Sequence, residues 1–190
     1  MSYVLLAFGS NICGKNGHPV NSMSSAIKEL KKLDLQFLKI SSVYYSKAIG
    51  AAYQPNFYNL VTLCHCTSHP NKLLKIIKQL ESDSGRSGSL YWGPRPLDID
   101  IIDYDGKILN WPIKKKENVK RRAYGSKKVS PLSLPHLEMH KRGFVLMPLV
   151  EIAPEWRHPV LGGAAKSLMK RYCSPMELKT IEKLDISLSL

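Results

Sequence analysis

Tyr91-Trp92-Gly93-Pro94-Arg95-Pro96-Leu97-Asp98-Ile99-Asp100-Ile101-Ile102-Asp103 is the stretch on which this 190-residue chain turns. From Leu97 it alternates apolar and acidic, which is the period of a strand and not of a helix. Asp98 and Asp100 then share one face of that strand, with Leu97, Ile99 and Ile101 on the other. Two carboxylates held so close repel, and leaving both unpaired at neutral pH is costly. A hard divalent cation relieves the repulsion, and Mg²⁺ is commonly held by one or two carboxylates together with substrate phosphates. Just upstream, Gly93-Pro94 makes a rigid turn, Arg95 offers a fork shaped for phosphate, and Trp92 a flat apolar face. The plainer reading is an acidic strand face turned to water, and on the alternation alone it has the better claim.

Outward from that strand the pattern is regular. Residues 3–8 form a continuous apolar run ending at Gly9-Ser10-Asn11, which reads as a buried central strand and lacks the basic flank of a signal peptide. Residues 13–18 are a glycine-punctuated loop. Pro19-Val20-Asn21-Ser22 then opens a helix carrying Met23, Ile27, Leu30 and Leu33 at helical spacing. Residues 35–45 return to strand character, 46–54 form a loop, and 57–66 form the next strand. Ser68-His69-Pro70 starts a second helix, with Leu73, Leu74, Ile77 and Leu80 on one face, running to about Ser84. The order β-α-β-β-α-β is the ferredoxin-like arrangement. The expected fold class is therefore α+β, a mostly antiparallel sheet with helices packed on it and C-terminal additions. Those additions are a short apolar helix at 145–152 and a last helix at 163–172. One domain is expected over residues 1–173, with a basic loop insertion at about 108–130 and a tail at 174–190.

Composition narrows the function. No apolar run approaches the ~20 residues that span a bilayer, so the expectation is a cytoplasmic protein with no membrane partner. Cys13, Cys64, Cys66 and Cys173 have no framework spacing and read as thiols in a reducing compartment. Cys64-His65-Cys66 invites a metal reading, but in a strand the two thiols share a face that His65 does not. The net charge of +13 suggests an anionic partner. Eight lysines and arginines lie within residues 114–128 against a single acid, Glu117, and a solvated exposed loop is the plain account of them. A basic nucleic-acid-binding domain is an alternative, although the strands lack the aromatic-rich signature that stacks bases. His18, His69 and His158 have no partners at a readable spacing and read as structural or surface residues.

The run from Trp92 to Asp100, with Pro135-His136 and Arg142-Gly143-Phe144 further on, resembles the two signatures of the 6-hydroxymethyl-7,8-dihydropterin pyrophosphokinase family of folate biosynthesis. Gly9-Ser10-Asn11 also closes the first strand in that family, and the resemblance spans about residues 3–156, interrupted by the basic insertion. It implies transfer of the β,γ-pyrophosphoryl unit of ATP to the primary hydroxyl of the pterin, releasing AMP. It implies Asp98 and Asp100 as ligands of two Mg²⁺ ions, with Arg86 and Arg95 as further catalytic groups. Glu81, Trp92, His136 and Arg142 match ATP-side positions. Asn59, Phe57, Phe144 and Ile49 match the pterin side, the two phenylalanines by stacking. A neighbouring folate-pathway enzyme is a partner the resemblance admits.

Taken singly, each of these residues has a plainer account. Asn59 could finish a strand, Phe57 and Phe144 could be core, and Glu81 could pair with a lysine of its own helix. Their joint order is what favours the family. There are departures. Phe57 stands where a tyrosine is expected, Gly88-Ser89-Leu90-Tyr91 where further arginines are usual, Leu137 for a tyrosine and Pro131 for an arginine. Ser46-Lys47-Ala48-Ile49-Gly50 replaces a proline-bearing loop, and Lys127 or Lys128 could supply phosphate charge without the guanidinium fork. A paralogue that keeps the pterin pocket but serves as a regulator or partner is the alternative these departures leave open.

Overall fold

The computed structural model describes residues 1–33, 35–48, 54–86, 93–112, 131–186 and 188. Ile49, Trp92 and the basic run at 114–128 lie outside the described residues.

The chain forms β1 (Ser2–Ser10), α1 (Pro19–Lys31), β2 (Leu35–Ile40), β3 (Tyr44–Ser46), β4 (Phe57–Cys66), α2 (Pro70–Asp83) and β5 (Asp98–Tyr104). A 3₁₀ turn (Met139–Lys141), α3 (Gly143–Ile152), α4 (Ala165–Tyr172), α5 (Pro175–Leu178) and β6 (Glu182–Lys183) follow. The strands make one six-stranded antiparallel sheet in the order β5-β1-β4-β3-β6, with β2 also paired to β4. The fold is the expected α+β, ferredoxin-like arrangement. The single strand expected over 35–45 is two strands, because β2 pairs with the far half of β4 and β3 with the near half. Ser41 makes the step between them: its N–H donates to Val61 O and its hydroxyl accepts Val61 N–H, each at 3.0 Å.

Both helices of the ferredoxin-like core begin at a His-Pro pair. His18 Nδ1 accepts Val20 N–H and His69 Nδ1 accepts Asn71 N–H, each at 3.3 Å, while the proline pre-sets the first helical φ. Met23, Ala26, Ile27 and Leu30 of α1, with Leu73 and Ile77 of α2, bury against Val4, Leu6, Phe8, Ile99 and Ile101 of the sheet. Leu33, expected on the apolar face of α1, instead lies beyond its last turn and is 49% exposed.

The C-terminal additions cover the opposite face of the sheet. Leu146 and Leu149 of α3 and Leu168 of α4 pack there on Leu5, Val61 and Ile102. Burial on both faces explains why β1 is apolar at nearly every position rather than at alternate ones. A bulge opposite Leu5 and Leu6 puts Leu6 beside Ile101 but Leu5 beside Asp103. The alternation slips by one there, so Tyr104 enters the first core and Asp103 falls under the second layer, where it accepts the Trp156 indole N–H at 3.3 Å.

The stretch from Ser174, which the sequence offers only as a tail, supplies α5 and β6. Leu178 and Ile181 press on Gly143, where a Cβ would stand 2.9 Å from each of their methyl groups. β6 pairs with β3, Tyr44 opposite Lys183. Glu151 of α3 ties this corner together, accepting from Ser42 Oγ at 2.9 Å, Tyr44 Oη at 2.9 Å and Lys183 Nζ at 3.2 Å. Residues 109 and 134 close the base of the expected insertion through paired main-chain bonds of 2.9 Å. None of the described helices is long and apolar enough to cross a membrane.

Glu151→Ala should lower the unfolding free energy by about 1–3 kcal/mol, because Ser42 and the Tyr44 hydroxyl lose their acceptor. Urea denaturation measures this, and Glu151→Gln, which keeps an acceptor oxygen, should lose less.

Candidate functional site

The site lies where β1 ends and its two neighbours begin. Gly9 is opposite Asn59 of β4 on one side and Asp98 of β5 on the other, and Ala7 is opposite Asp100. Asn59 and Asp98 are therefore two strand spacings apart, roughly 10 Å. A Cβ at Gly9 would touch Asn59 Oδ1 at 3.6 Å and Phe57 Cδ1 at 3.8 Å, so the glycine keeps that floor open.

Ser10 and Asn11 staple two loops to the end of β1. Ser10 Oγ donates to Pro96 O at 2.7 Å. Asn11 exchanges main-chain and side-chain bonds with Arg95, its N–H donating to Arg95 O at 3.0 Å and its Oδ1 accepting Arg95 N–H at 2.7 Å. Its Nδ2 reaches Pro55 O at 3.0 Å. One side chain thus fixes both the Arg95 turn and the approach to Phe57.

Asp98 is gripped by two guanidinium groups, Arg86 on Oδ1 at 2.8 Å and Arg95 on Oδ2 at 2.5 Å. Burial alone would raise the Asp98 carboxyl, but Arg95 and Arg86 outweigh it and hold the group below the usual carboxylate range. Behind this pair stands Glu81, only 2% exposed. Its Oε1 accepts Ile99 N–H at 2.9 Å, and its Oε2 pairs with Arg86 at 2.7 Å and Lys78 at 2.8 Å. Burial pushes the Glu81 carboxyl up, against the pull of Lys78 and Arg86.

Asp100 is held more loosely. Its Oδ2 is 3.6 Å from Arg142 and 3.7 Å from His136, beyond hydrogen-bond reach of either. His136 Nδ1 accepts Glu138 N–H at 3.3 Å, which leaves the ring proton on Nε2, the atom facing Asp100. Burial pulls the His136 ring below the ordinary histidine value, opposed by Asp100 and reinforced by Arg142. Asn59 turns its amide N–H groups to Ser46 Oγ at 3.0 Å and to the Phe57 and Tyr44 carbonyls, which locks the side chain in place.

Phe57, Asn59, Arg95, Asp98, Asp100, His136, Arg142 and Phe144 all line one cavity of about 540 Å³, a size that suits a small organic ligand. Glu81 and Arg86 are not on its wall: they stand behind Asp98. Trp92 and Ile49 lie outside the described residues. The cavity also holds Ser46, Lys47, Gln54, Glu138 and Lys141, which the sequence reading did not single out. Lys47 and Gln54 flank a loop with no periodicity to reveal them. The burial of Glu81 did have a signal, since Leu73, Ile77 and Glu81 recur every four residues and so share the inward stripe of α2. Cys64 and Cys66 are buried in the first core, and His65 leaves that core to pack on Tyr3 at 4.4 Å.

The arrangement combines two acids on one strand face, cations suited to a polyanion, and aromatic and amide groups suited to a flat heterocycle. The family model of 7,8-dihydro-6-hydroxymethylpterin-pyrophosphokinase (HPPK) matches residues 5–154. The 2-amino-4-hydroxy-6-hydroxymethyldihydropteridine pyrophosphokinase of Aquifex aeolicus is 34% identical over 160 residues, 84% of this chain and 86% of that relative. The protein of the same name from Pseudomonas aeruginosa is 31% identical over 157 residues, 82% and 83% of the two chains. Among solved structures, Plasmodium falciparum HPPK-DHPS wild type with SDX-DHP matches in fold with a TM-score of 0.65 at 16% identity. That match covers 98% of this chain and 48% of the other, so the chain spans about half the length of that solved structure. On the family match and the two relatives together, the chain belongs to the 7,8-dihydro-6-hydroxymethylpterin-pyrophosphokinase family.

Proposed function

We propose that this chain is an ATP-dependent pyrophosphokinase of folate synthesis. It moves the β,γ-pyrophosphoryl group of ATP to the primary hydroxyl of 6-hydroxymethyl-7,8-dihydropterin and releases AMP. The observation that carries this reading is the row Asn59, Gly9, Asp98 across three adjacent strands, opening into one cavity with His136, Arg142 and two phenylalanines.

Phosphoryl transfer asks the protein mainly for positioning and charge neutralisation. Asp98 and Asp100 would hold Mg²⁺, and the donor set fits. Both are hard oxygen ligands on one strand face, Asp100 makes no close bond among the described residues, and the remaining coordination is left for phosphate and water. When bound, Mg²⁺ neutralises the triphosphate and makes the attacked phosphorus more electrophilic. Arg86 and Arg95 neutralise Asp98, and a triphosphate offers the guanidinium fork of Arg95, on the cavity wall, a second anion of matching geometry. His136 presents a neutral Nε2–H donor to the same side, and Arg142 a full charge.

On the pterin side, Phe57 and Phe144 offer apolar faces and Asn59 a pre-locked amide. Glu81 acts as a positioning residue, since it fixes Ile99 N–H between the two aspartates and orients Arg86 on Asp98. The solved relative is an HPPK-DHPS chain, and a neighbouring folate-pathway enzyme is the partner class we assign. The four free thiols suit a reducing cytoplasm.

Three outcomes are expected. AMP release from ATP and Mg²⁺ should depend on 6-hydroxymethyl-7,8-dihydropterin; pterin binding without AMP would mark a regulatory paralogue, and no binding of either substrate would sink the assignment. Asp100→Ala should cut kcat by roughly 10²–10³-fold at an unchanged melting temperature, as removal of one transition-state charge contact does. Glu81→Ala should destabilise the fold by about 3–5 kcal/mol in urea titrations, because Arg86 and Ile99 N–H lose their buried partner.

A further inference from the structure

A second group of polar side chains lies away from the cavity, beneath the 3₁₀ turn. His140 belongs to that turn and is 8% exposed; His158, in the link from α3 to α4, is 1% exposed. Their rings are perpendicular, with centroids 6.0 Å apart. Trp111 packs on His158 at 5.0 Å and on His140 at 6.1 Å. Trp156 meets His158 at 5.8 Å, and Tyr172 of α4 meets His140 at 4.9 Å.

His158 Nδ1 accepts two main-chain N–H groups, from Val160 at 3.2 Å and Leu161 at 3.1 Å. The neutral ring therefore carries its proton on Nε2. That Nε2 and His140 Nδ1 are both buried and find no hydrogen-bond partner among the described residues. Asp103 Oδ1 is a third such atom, on the carboxylate that receives the Trp156 indole N–H. Buried polar atoms without partners are uncommon, and three in one layer call for a physical account.

The position of the group supplies one. His140 sits between His136 and Arg142 in the chain, and those two residues face Asp100 in the cavity. Besides His136 N–H, which donates to Ile102 O at 2.9 Å, the segment is anchored by Met139 and by the His140 ring. We propose, resting on the triphosphate-side reading of His136 and Arg142, that His140 and His158 are positioning residues. In their neutral forms they seat the 3₁₀ turn so that His136 and Arg142 face Asp100, and a proton taken up by the pair unseats it.

A proton on either ring is poorly met from every side. Lys141 and His136 on the same segment repel it, and only Glu138 there attracts it. Tyr172 of α4 presents a neutral ring with Arg171 over it, and the indoles of Trp111 and Trp156 close two more sides. Asp103 of β5 is the one buried carboxylate in the layer among the described residues. Burial pushes both imidazoles below the ordinary value, His158 to about 4, with His140 adding to the shift. Because the unfolded chain takes up these protons near the ordinary histidine value and the folded chain does not, stability and seating are full above about pH 6.5. They are lost as pH falls toward about 4.

The test compares wild type with His140→Phe, which keeps a ring but takes no proton. Calorimetry would measure binding of Mg²⁺ and α,β-methylene-ATP, and separately of 6-hydroxymethyl-7,8-dihydropterin, at about pH 8 and about pH 4. Protonation of the phosphates and of His136 is common to both proteins. Wild type should lose about 10-fold more nucleotide affinity than the variant on acidification, the worth of one charge-assisted contact, with pterin affinity following no such difference. Equal pH dependence in the two proteins overturns the proposal. Should His140→Phe not fold, His158→Asn, whose side-chain oxygen can still accept the Val160 and Leu161 N–H groups, is held to the same criterion. If wild type binds no nucleotide at any pH, it is the pyrophosphokinase reading that fails. NMR of the imidazoles then decides for the pair: main-chain amide shifts over residues 139–142 that track the two titrations support it, and shifts independent of them overturn it.

Discussion

One buried carboxylate accepting one main-chain N–H organises the charged half of this site. Glu81 Oε1 holds Ile99 N–H, the group between the two aspartates, and so joins α2 to the start of β5. Its other oxygen orients Arg86, which in turn holds Asp98. In a low-dielectric setting such a contact is strong when complete and costly when broken, so each member fixes the next. Asp98 is thereby set to a single orientation, while Asp100, two residues on and on the same face, is approached among the described residues only at 3.6 and 3.7 Å. A site that must receive a highly charged substrate gains from that asymmetry: one acid is braced and the other is available.

The rest of the cavity is placed by the end of β1. Asn11 bonds to both the Arg95 turn and Pro55, so the loops that bring phosphate-side and ring-side groups together share one anchor. The sheet sets the spacing and the loops set the chemistry. The second face, covered by α3 and α4, adds His136, Arg142 and Phe144 from above. Both cores thus converge on one end of three strands.

Much of this was legible in the residues. The alternation from Leu97 to Ile101 fixed the face shared by the aspartates, and the apolar run at 57–66 matched β4 because it is buried on both sides. Proline after histidine marked two helix starts. What the sequence hid was set by tertiary pairing. The break at Ser41 exists because β4 offers its two halves to two short strands, which no local period reveals. The bulge opposite Leu5 and Leu6 turned Asp103 into the second layer, against the simple alternation. The helix at Pro175 carries a Ser-x-x-Glu cap, Ser174 Oγ accepting Glu177 N–H at 3.1 Å, yet a four-residue helix is too short to announce itself by periodicity.

The same contacts finish the margins of the sheet. An open sheet ends in strands whose outward N–H and C=O groups invite a further strand from another molecule. On the β5 side, Glu81 takes the Ile99 N–H and the His136 N–H takes the Ile102 carbonyl, so bonds that organise the site also remove pairing groups from that rim. On the other side, β6 is two residues long, with Glu182 and Lys183 both charged. The rest of that margin is β2, which pairs with β4 alone among the described residues and carries the charged Lys39, so the contacts that arm the cavity also trim the β5 rim against strand-by-strand aggregation.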